Sequence, residues 1–216
     1  MNKKILWVIS NIDFISNYPT EDAIHKGVWS LFGDHKSNRP YIFRVVQGKK
    51  ITVVAIRSSV PPEKNPKVGT IKVMEEVPLK EDTLYTLAVI ANPIVEKVIN
   101  GKGKRIPLIK QEDIEAWAIK RLGDGGFTFC TSNNGKPIIS STPPVRKYMK
   151  EKGNFYFVTS NIQAMVKISN IDKANKTVMQ GIGKEKAFGC GMLNLVPADS
   201  SYLSSGFLDE NNEEND

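Results

Sequence analysis

The chain is poor in the residues from which many enzyme centres are built. Of its 216 residues only two are cysteine, Cys130 and Cys190, and only two are histidine, His25 and His35. Two distant cysteines exclude a disulfide framework and a four-ligand zinc site. They are expected to be buried free thiols in a reducing cytoplasm. The clustered carboxylates of a two-metal centre are missing, so neither a metal nor a cofactor is expected. Long apolar runs are missing as well. Ile5 to Ile9, after Lys3-Lys4, stops at Ser10-Asn11-Ile12-Asp13 and reads as a strand rather than a secretory leader. Nothing approaches the roughly 20 apolar residues of a membrane helix, so no membrane partner is expected. Two phosphate-binding fingerprints also fail. Gly181-Ile182-Gly183 begins like a dinucleotide loop, but Lys186 stands where the third glycine belongs. The loop also follows a helix and precedes a strand, the reverse of the Rossmann order. There is no P-loop and no RNP-type aromatic segment.

What the chain does have is charge in unequal halves. It carries 30 Lys and Arg against 23 Asp and Glu, a net +7. Five of the acids (Asp209, Glu210, Glu213, Glu214 and Asp216) fall in the last eight residues, which hold no base, so the rest of the chain stands at +12. A body that basic generally meets a polyanion. The tail, 199–216, ends without apolar residues after Leu208 and is expected to be disordered. Apolar residues make up 40%, enough for a core in one large domain or two of about 100 residues.

The local pattern repeats. A strand over Lys4–Ile9 precedes a helix from about Thr20, with Glu21 and Asp22 in its first turn. Ile24, Val28, Leu31 and Phe32 recur at helical spacing, and Gly33 is expected to end the helix. Tyr41–Val46 and Ile51–Arg57 read as a hairpin, and Gly69–Glu75 as a further strand. Val77–Asp82 reads as a linker. A strand over Thr83–Ala91 follows, then a basic loop, Lys102 to Arg105, and a helix over Gln111–Leu122 capped at Gly123. Phe155–Thr159 and Ala164–Ile168 read as a hairpin pair, Asp172–Gln180 as a helix and Met192–Val196 as a closing strand. The order predicts an α+β chain of two tandem ferredoxin-like, RRM-like domains, 1–78 and 83–198.

The sharpest segment is Gly181-Ile182-Gly183-Lys184-Glu185-Lys186-Ala187-Phe188-Gly189-Cys190-Gly191. Four glycines in eleven residues demand a special backbone, and the backbone amides with Lys184 and Lys186 could face phosphate. A tight helix-to-strand connection would use the same glycines.

With Met192-Leu193 added, this segment resembles the C-terminal signature of the CRISPR-associated RNA-processing endonucleases, most closely the CasE family. That family supplies the precursor-crRNA nuclease of the type I-E Cascade complex. His25-Lys26-Gly27-Val28-Trp29-Ser30-Leu31-Phe32 matches it too, as do Ala91-Asn92-Pro93, Lys104-Arg105-Ile106-Pro107-Leu108 and the helical Ala116-Trp117. The matches run in order from about residue 3 to Pro197. The resemblance implies recognition of a CRISPR repeat RNA hairpin, cutting at its 3′ base without metal, retention of the crRNA, and assembly with other Cascade subunits. It implies that His25 is the active-site histidine, and histidine suits general acid–base work near neutral pH. The family commonly has tyrosine three residues earlier, where this chain has Asp22. Asp22 lies at i, i+3 from His25, where a carboxylate would favour the imidazolium form; it also suits a first-turn acid. Tyr18 could replace the hydroxyl, and Lys26 could reach the scissile phosphate. Lys102, Lys104 and Arg105, and separately Arg146, Lys147 and Lys150 beside Tyr148, are the candidate RNA-binding clusters, together with Gly181, Gly183, Gly189 and Gly191 and their lysines. The alternative is a subunit of the same fold that binds the crRNA hairpin without cutting it.

The charge distribution generates a prediction. Affinity for the repeat hairpin should fall steeply with salt, each phosphate contact adding roughly 0.7–0.9 to the log–log slope. Neutralising Lys102, Lys104 and Arg105 together should reduce both affinity and slope in filter-binding titrations. Deleting Asp209–Asp216 should leave affinity intact or raise it.

Overall fold

The computed structural model describes residues 5–10, 21–32, 39–47, 52–63, 70–76, 78–149 and 155–198. Tyr18, His35, Gly33, Lys150 and the acidic tail lie outside them. The chain is α+β, with antiparallel sheets.

The first sheet has β1 (Ile5–Ser10), β2 (Tyr41–Gln47), β3 (Thr52–Ser58) and β4 (Thr70–Glu75). Its order is β2-β3-β1-β4, and every neighbouring pair is antiparallel. Helix α1 (Glu21–Trp29) connects β1 to β2. Ile24, Val28, Leu31 and Phe32 are all buried against Tyr41, Phe43, Val54 and Ile56. That is the helical stripe read from the sequence, set on one face of the β2–β3 hairpin. Helical geometry stops at Trp29 rather than at Gly33; Leu31 and Phe32 reach the core from the turn that follows. Residues 59–63 are not helical, so no second helix is seen in that part of the first half.

The second sheet is built on β5 (Leu84–Ala91) and β11 (Phe155–Ile168), which pair antiparallel along eight residues of each. β12 (Asn194–Pro197) takes the far side of β5; β8 (Phe127–Phe129), β9 (Ile139–Ser141) and β10 (Val145–Met149) share the far side of β11. Helices α2 (Gln111–Asp124) and α3 (Ile171–Gln180) cover the sheet through Ile114, Trp117, Ala118, Leu122, Ala174 and Val178. Asn170 caps α3, its side chain accepting from the Lys173 amide at 2.9 Å.

Several expectations are corrected here. Phe155–Ile168 is one 14-residue strand, not a hairpin pair. Ser160 to Gln163 contain neither Gly nor Pro, and the strand stays extended because β10 holds its first half and β5 its second. Lys102–Arg105 is not a loop. It is most of β7 (Lys102–Pro107), paired with β6 (Ile94–Ile99). The turn between them is Asn100-Gly101, with φ of 52° and 72°, the pair of left-handed residues that a tight hairpin turn requires. Helix α2 runs past Gly123 to Asp124, with Gly125 at its C-cap.

The two sheets are joined through Arg57 on β3. The residue is only 2% exposed. Nε donates to Glu76 at 2.8 Å, and one terminal nitrogen pairs with the other Glu76 oxygen. The terminal nitrogens also donate to the carbonyls of Val178 on α3 and Leu193 just before β12, each at 3.1 Å. A buried charge is tolerated only when paired and hydrogen-bonded, and these acceptors come from both halves. Replacing Arg57 with Ala should therefore lower the unfolding free energy by about 3 kcal/mol, read from urea denaturation. A loss below about 1 kcal/mol would put the pair in the class of surface ion pairs and remove it as the joint.

Candidate functional site

Helix α3 runs into the glycine segment, and the geometry explains the glycines. Gly181 and Gly191 have φ of 68° and 85°, left-handed values that side chains resist. They also lie back to back. A Cβ on Gly191 would stand 2.2 Å from the Ile182 carbonyl oxygen, and one on Gly181 would stand 2.1 Å from the Ile42 Cδ1 of the first sheet. The Ile182 amide donates to the Gly191 carbonyl at 3.0 Å, and the Gly191 amide donates to Ile90 on β5 at 2.7 Å. Gly181 donates to Thr177 and Gly189 to Lys186. The amides of Gly181, Gly189 and Gly191 are thus engaged inside the chain.

Between the glycines the backbone makes a short 3-10 turn, Lys186–Phe188. This turn carries Phe188 back to helix α1. The Phe188 ring lies 5.5 Å from the His25 imidazole and stacks on Phe157 at 5.4 Å. Trp29, one helical turn after His25, meets the imidazole edge-on at 6.1 Å. The histidine is half-buried, held between a ring of its own helix and a ring of the glycine loop. Residues about 160 positions apart in sequence thereby meet.

A cavity of about 1130 Å³ follows the glycine loop as far as Ala187, the residue before Phe188. Its cations include Arg39, Lys120, Lys173, Lys176, Lys184 and Lys186; Glu96, Asp124 and Glu185 are its acids. Burial first, then the charges of Lys184 and Arg39, push the Lys186 ammonium below its ordinary pKa. Glu96 on β6 lies 3.7 Å from Lys184 and 3.6 Å from Arg105. It links the glycine loop to the β6–β7 hairpin.

The structure thus brings together His25, the glycine loop with Lys184 and Lys186, and through Glu96 the Lys102, Lys104 and Arg105 strand. Lys26 is exposed on α1. Asp22 occupies the first turn of the same helix, three residues before His25. Lys147 stands opposite Phe157 in the β10–β11 register, on the face of buried Met149. Arg146 points from the other face, over the Tyr156 ring at 5.3 Å. The Arg146 and Lys147 cluster is therefore split between two faces of the sheet. Asn92, matched in the sequence, is buried and donates to the Val158 carbonyl at 2.7 Å. Sequence reasoning missed Arg39 and the helical lysines of the cavity, because single bases on separate elements form no motif.

A family model described as CRISPR associated protein matches residues 16–197. The chain belongs to that family. It is 28% identical over 189 residues to the CRISPR system Cascade subunit CasE of Escherichia coli (strain K12), a match covering 81% of this chain and 90% of that one. With the CRISPR-associated endoribonuclease Cse3 of Thermus thermophilus it shares 28% identity over 113 residues, 50% of this chain and 53% of the relative. A solved structure of Thermus thermophilus Cse3, bound to an RNA representing a pre-cleavage complex, superposes with a TM-score of 0.76 at 18% identity, covering 91% of this chain and all of the other. The CasE resemblance seen in the motifs is borne out. Among the described residues no helix is long and apolar enough to cross a membrane.

The loop geometry generates a prediction. Gly191→Ala should cost more than about 2 kcal/mol, since a left-handed φ and a backbone clash combine. Gly103→Ala, on β7 with no atom within 4 Å of the added carbon, should stay within about 0.5 kcal/mol. Thermal unfolding of the two variants checks the contrast.

Proposed function

We propose that this chain is an endoribonuclease that cuts CRISPR precursor RNA at the base of the repeat hairpin and keeps the mature crRNA within a Cascade-type antiviral complex. The observation that carries the reading is His25, wedged between Trp29 and Phe188, with Phe188 carried by the loop whose Lys184, Lys186 and Ala187 line a lysine-rich cavity. The named relatives, a Cascade subunit and an endoribonuclease, point the same way. So does the strand order. The two sheets repeat one arrangement, in which the first strand of each half sits between its next-to-last strand and its last, as in two tandem ferredoxin-like domains, 1–78 and 83–198.

RNA carries its own nucleophile. The 2′ oxygen attacks the neighbouring phosphorus, the P–O5′ bond breaks, the 2′ proton leaves to a base and the departing 5′ oxygen takes a proton. The products are a 2′,3′-cyclic phosphate and a 5′-OH, and no metal is needed. In this reading His25 moves one of these protons, Asp22 on the same helix is its partner, and Lys26 and Lys186 attend the phosphate. Tyr18 is the remaining source of a hydroxyl. The β6–β7 hairpin and the loop lysines hold the duplex by its phosphates, since A-form RNA hides base edges in a narrow major groove. The second reading is a non-catalytic crRNA-hairpin-binding subunit, favoured by Asp22 standing where the family commonly has tyrosine.

Incubation with the host repeat RNA in EDTA separates the two. Cleavage should persist and leave a cyclic phosphate on the upstream fragment; a strict Mg²⁺ requirement or a 5′-phosphate product would defeat the mechanism. His25→Ala should lose about 10²–10⁴ in single-turnover rate with hairpin affinity nearly unchanged. Asp22→Asn should slow the same step. If it instead keeps the parental rate and loses only roughly 0.3–1 kcal/mol of stability, Asp22 is a helix-terminus acid. Parental cleavage by His25→Ala would leave only the binding reading.

A further inference from the structure

Arg39 sits two residues before β2, and its surroundings are unusual for an arginine. Its guanidinium carbon lies 5.9 Å from the Trp29 ring and 5.6 Å from the Tyr41 ring. Such ring contacts hold the planar fork in one orientation. Trp29 is the same ring that meets His25, so one indole supports both the imidazole and the guanidinium. The Arg39 Nε is buried and has no hydrogen-bond partner among the described residues. No carboxylate among them pairs with the side chain either. The contrast with Arg57 is instructive. That buried guanidinium donates to a carboxylate and two carbonyls, as a buried charge must. Arg39 is fixed in place and left with donors to offer.

The group it faces can be identified by chemistry. Arg39 lines the cavity together with Lys184 and Lys186, and Lys186 is pushed down partly by Arg39's own charge. Of the cavity's acids, Glu96 already lies between Lys184 and Arg105. Cations crowded this way repel one another until an anion enters. A fixed fork suits an anion with two oxygens side by side, which is phosphate geometry. At about 1130 Å³ the cavity also exceeds the roughly 300–1,000 Å³ of small-molecule clefts. That size suits a strand rather than a free nucleotide.

We propose that Arg39 holds the phosphate at the cut, its guanidinium donating to the non-bridging oxygens beside the His25 imidazole. The assignment rests on the nuclease reading above. Its role is to steady charge on the phosphoryl oxygens as the 2′ oxygen adds, while His25 moves a proton.

The test uses the full chain and three RNAs. One is the cleavable repeat. The second carries a 2′-deoxy sugar at the cut, so that it binds without reacting. The third is the same RNA with a neutral methylphosphonate at the cut. Parent protein should bind the methylphosphonate RNA about tenfold more weakly than its charged twin. Arg39→Gln should bind both alike, with the weaker affinity, and should lose about 10²-fold in single-turnover rate on the cleavable RNA. Arg39→Lys should recover part of both losses, which a packing role would not give, and it keeps the test valid if the Gln variant unfolds. Equal discrimination between the charged and neutral RNAs by parent and variants would overturn the assignment, as would cleavage by Arg39→Gln at the parental rate. If the parent cuts nothing, the nuclease reading fails, while the binding comparison still decides whether Arg39 meets that phosphate.

Discussion

Arg57 is a full positive charge placed where water does not reach, and much of the architecture follows from that. Its acceptors are the Glu76 carboxylate and the Val178 and Leu193 carbonyls. Glu76 directly follows β4; Val178 lies on α3 and Leu193 just before β12, on either side of the glycine loop. Satisfying one guanidinium therefore fixes the first sheet against the second half of the chain. Ile42, on the neighbouring strand, then comes so close to Gly181 that no Cβ fits between them. The first sheet is left with α1 on one face and α3 on the other, and the loop after α3 reaches from Ile42 round to α1.

That clamp is what allows a site to form. His25 belongs to α1 and Phe188 to a loop more than 150 residues later, and neither is useful alone. The left-handed glycines turn the loop back sharply enough for Phe188 to reach across to the imidazole. The same turn sets Lys184 and Lys186 at the cavity wall, facing Arg39 from the first half. Positive charge accumulates there because the lysines of α2 and α3 and those of the loop share one hollow. A polyanion is the ligand that relieves such a field.

The strongest patterns were legible in the sequence because they are local. The α1 stripe of Ile24, Val28, Leu31 and Phe32 buries as its spacing requires, and the β2–β3 hairpin, β5, α2 and α3 fall close to where they were read. The glycine segment announced a special backbone. The failures are also physical. Asn100-Gly101 is a strong hairpin signal, yet the basic residues after it suggested a loop, since β7 is exposed and lacks an apolar face to betray it. The long β11 was cut in two because its middle, Ser160 to Gln163, is largely polar and is held extended by β5, far away in sequence. The short β8 and β9 exist only through pairing with it.

By itself the sequence determined the family, the α+β order, the histidine worth testing and the basic body. Each of these rests on spacing, composition or a short motif, which a linear chain carries in full. The tertiary structure decided which bases act together. Arg39 has no motif around it, and Lys120, Lys173 and Lys176 are ordinary surface lysines along the chain. Only packing reveals that they line one cavity, that the amides of Gly181 and Gly191 are engaged by α3 and β5, and that one guanidinium is matched by acceptors while the Nε of another, held by two aromatic rings, has none among the described residues. Pairing of buried polar groups is a property of three-dimensional neighbours, and sequence distance does not encode it.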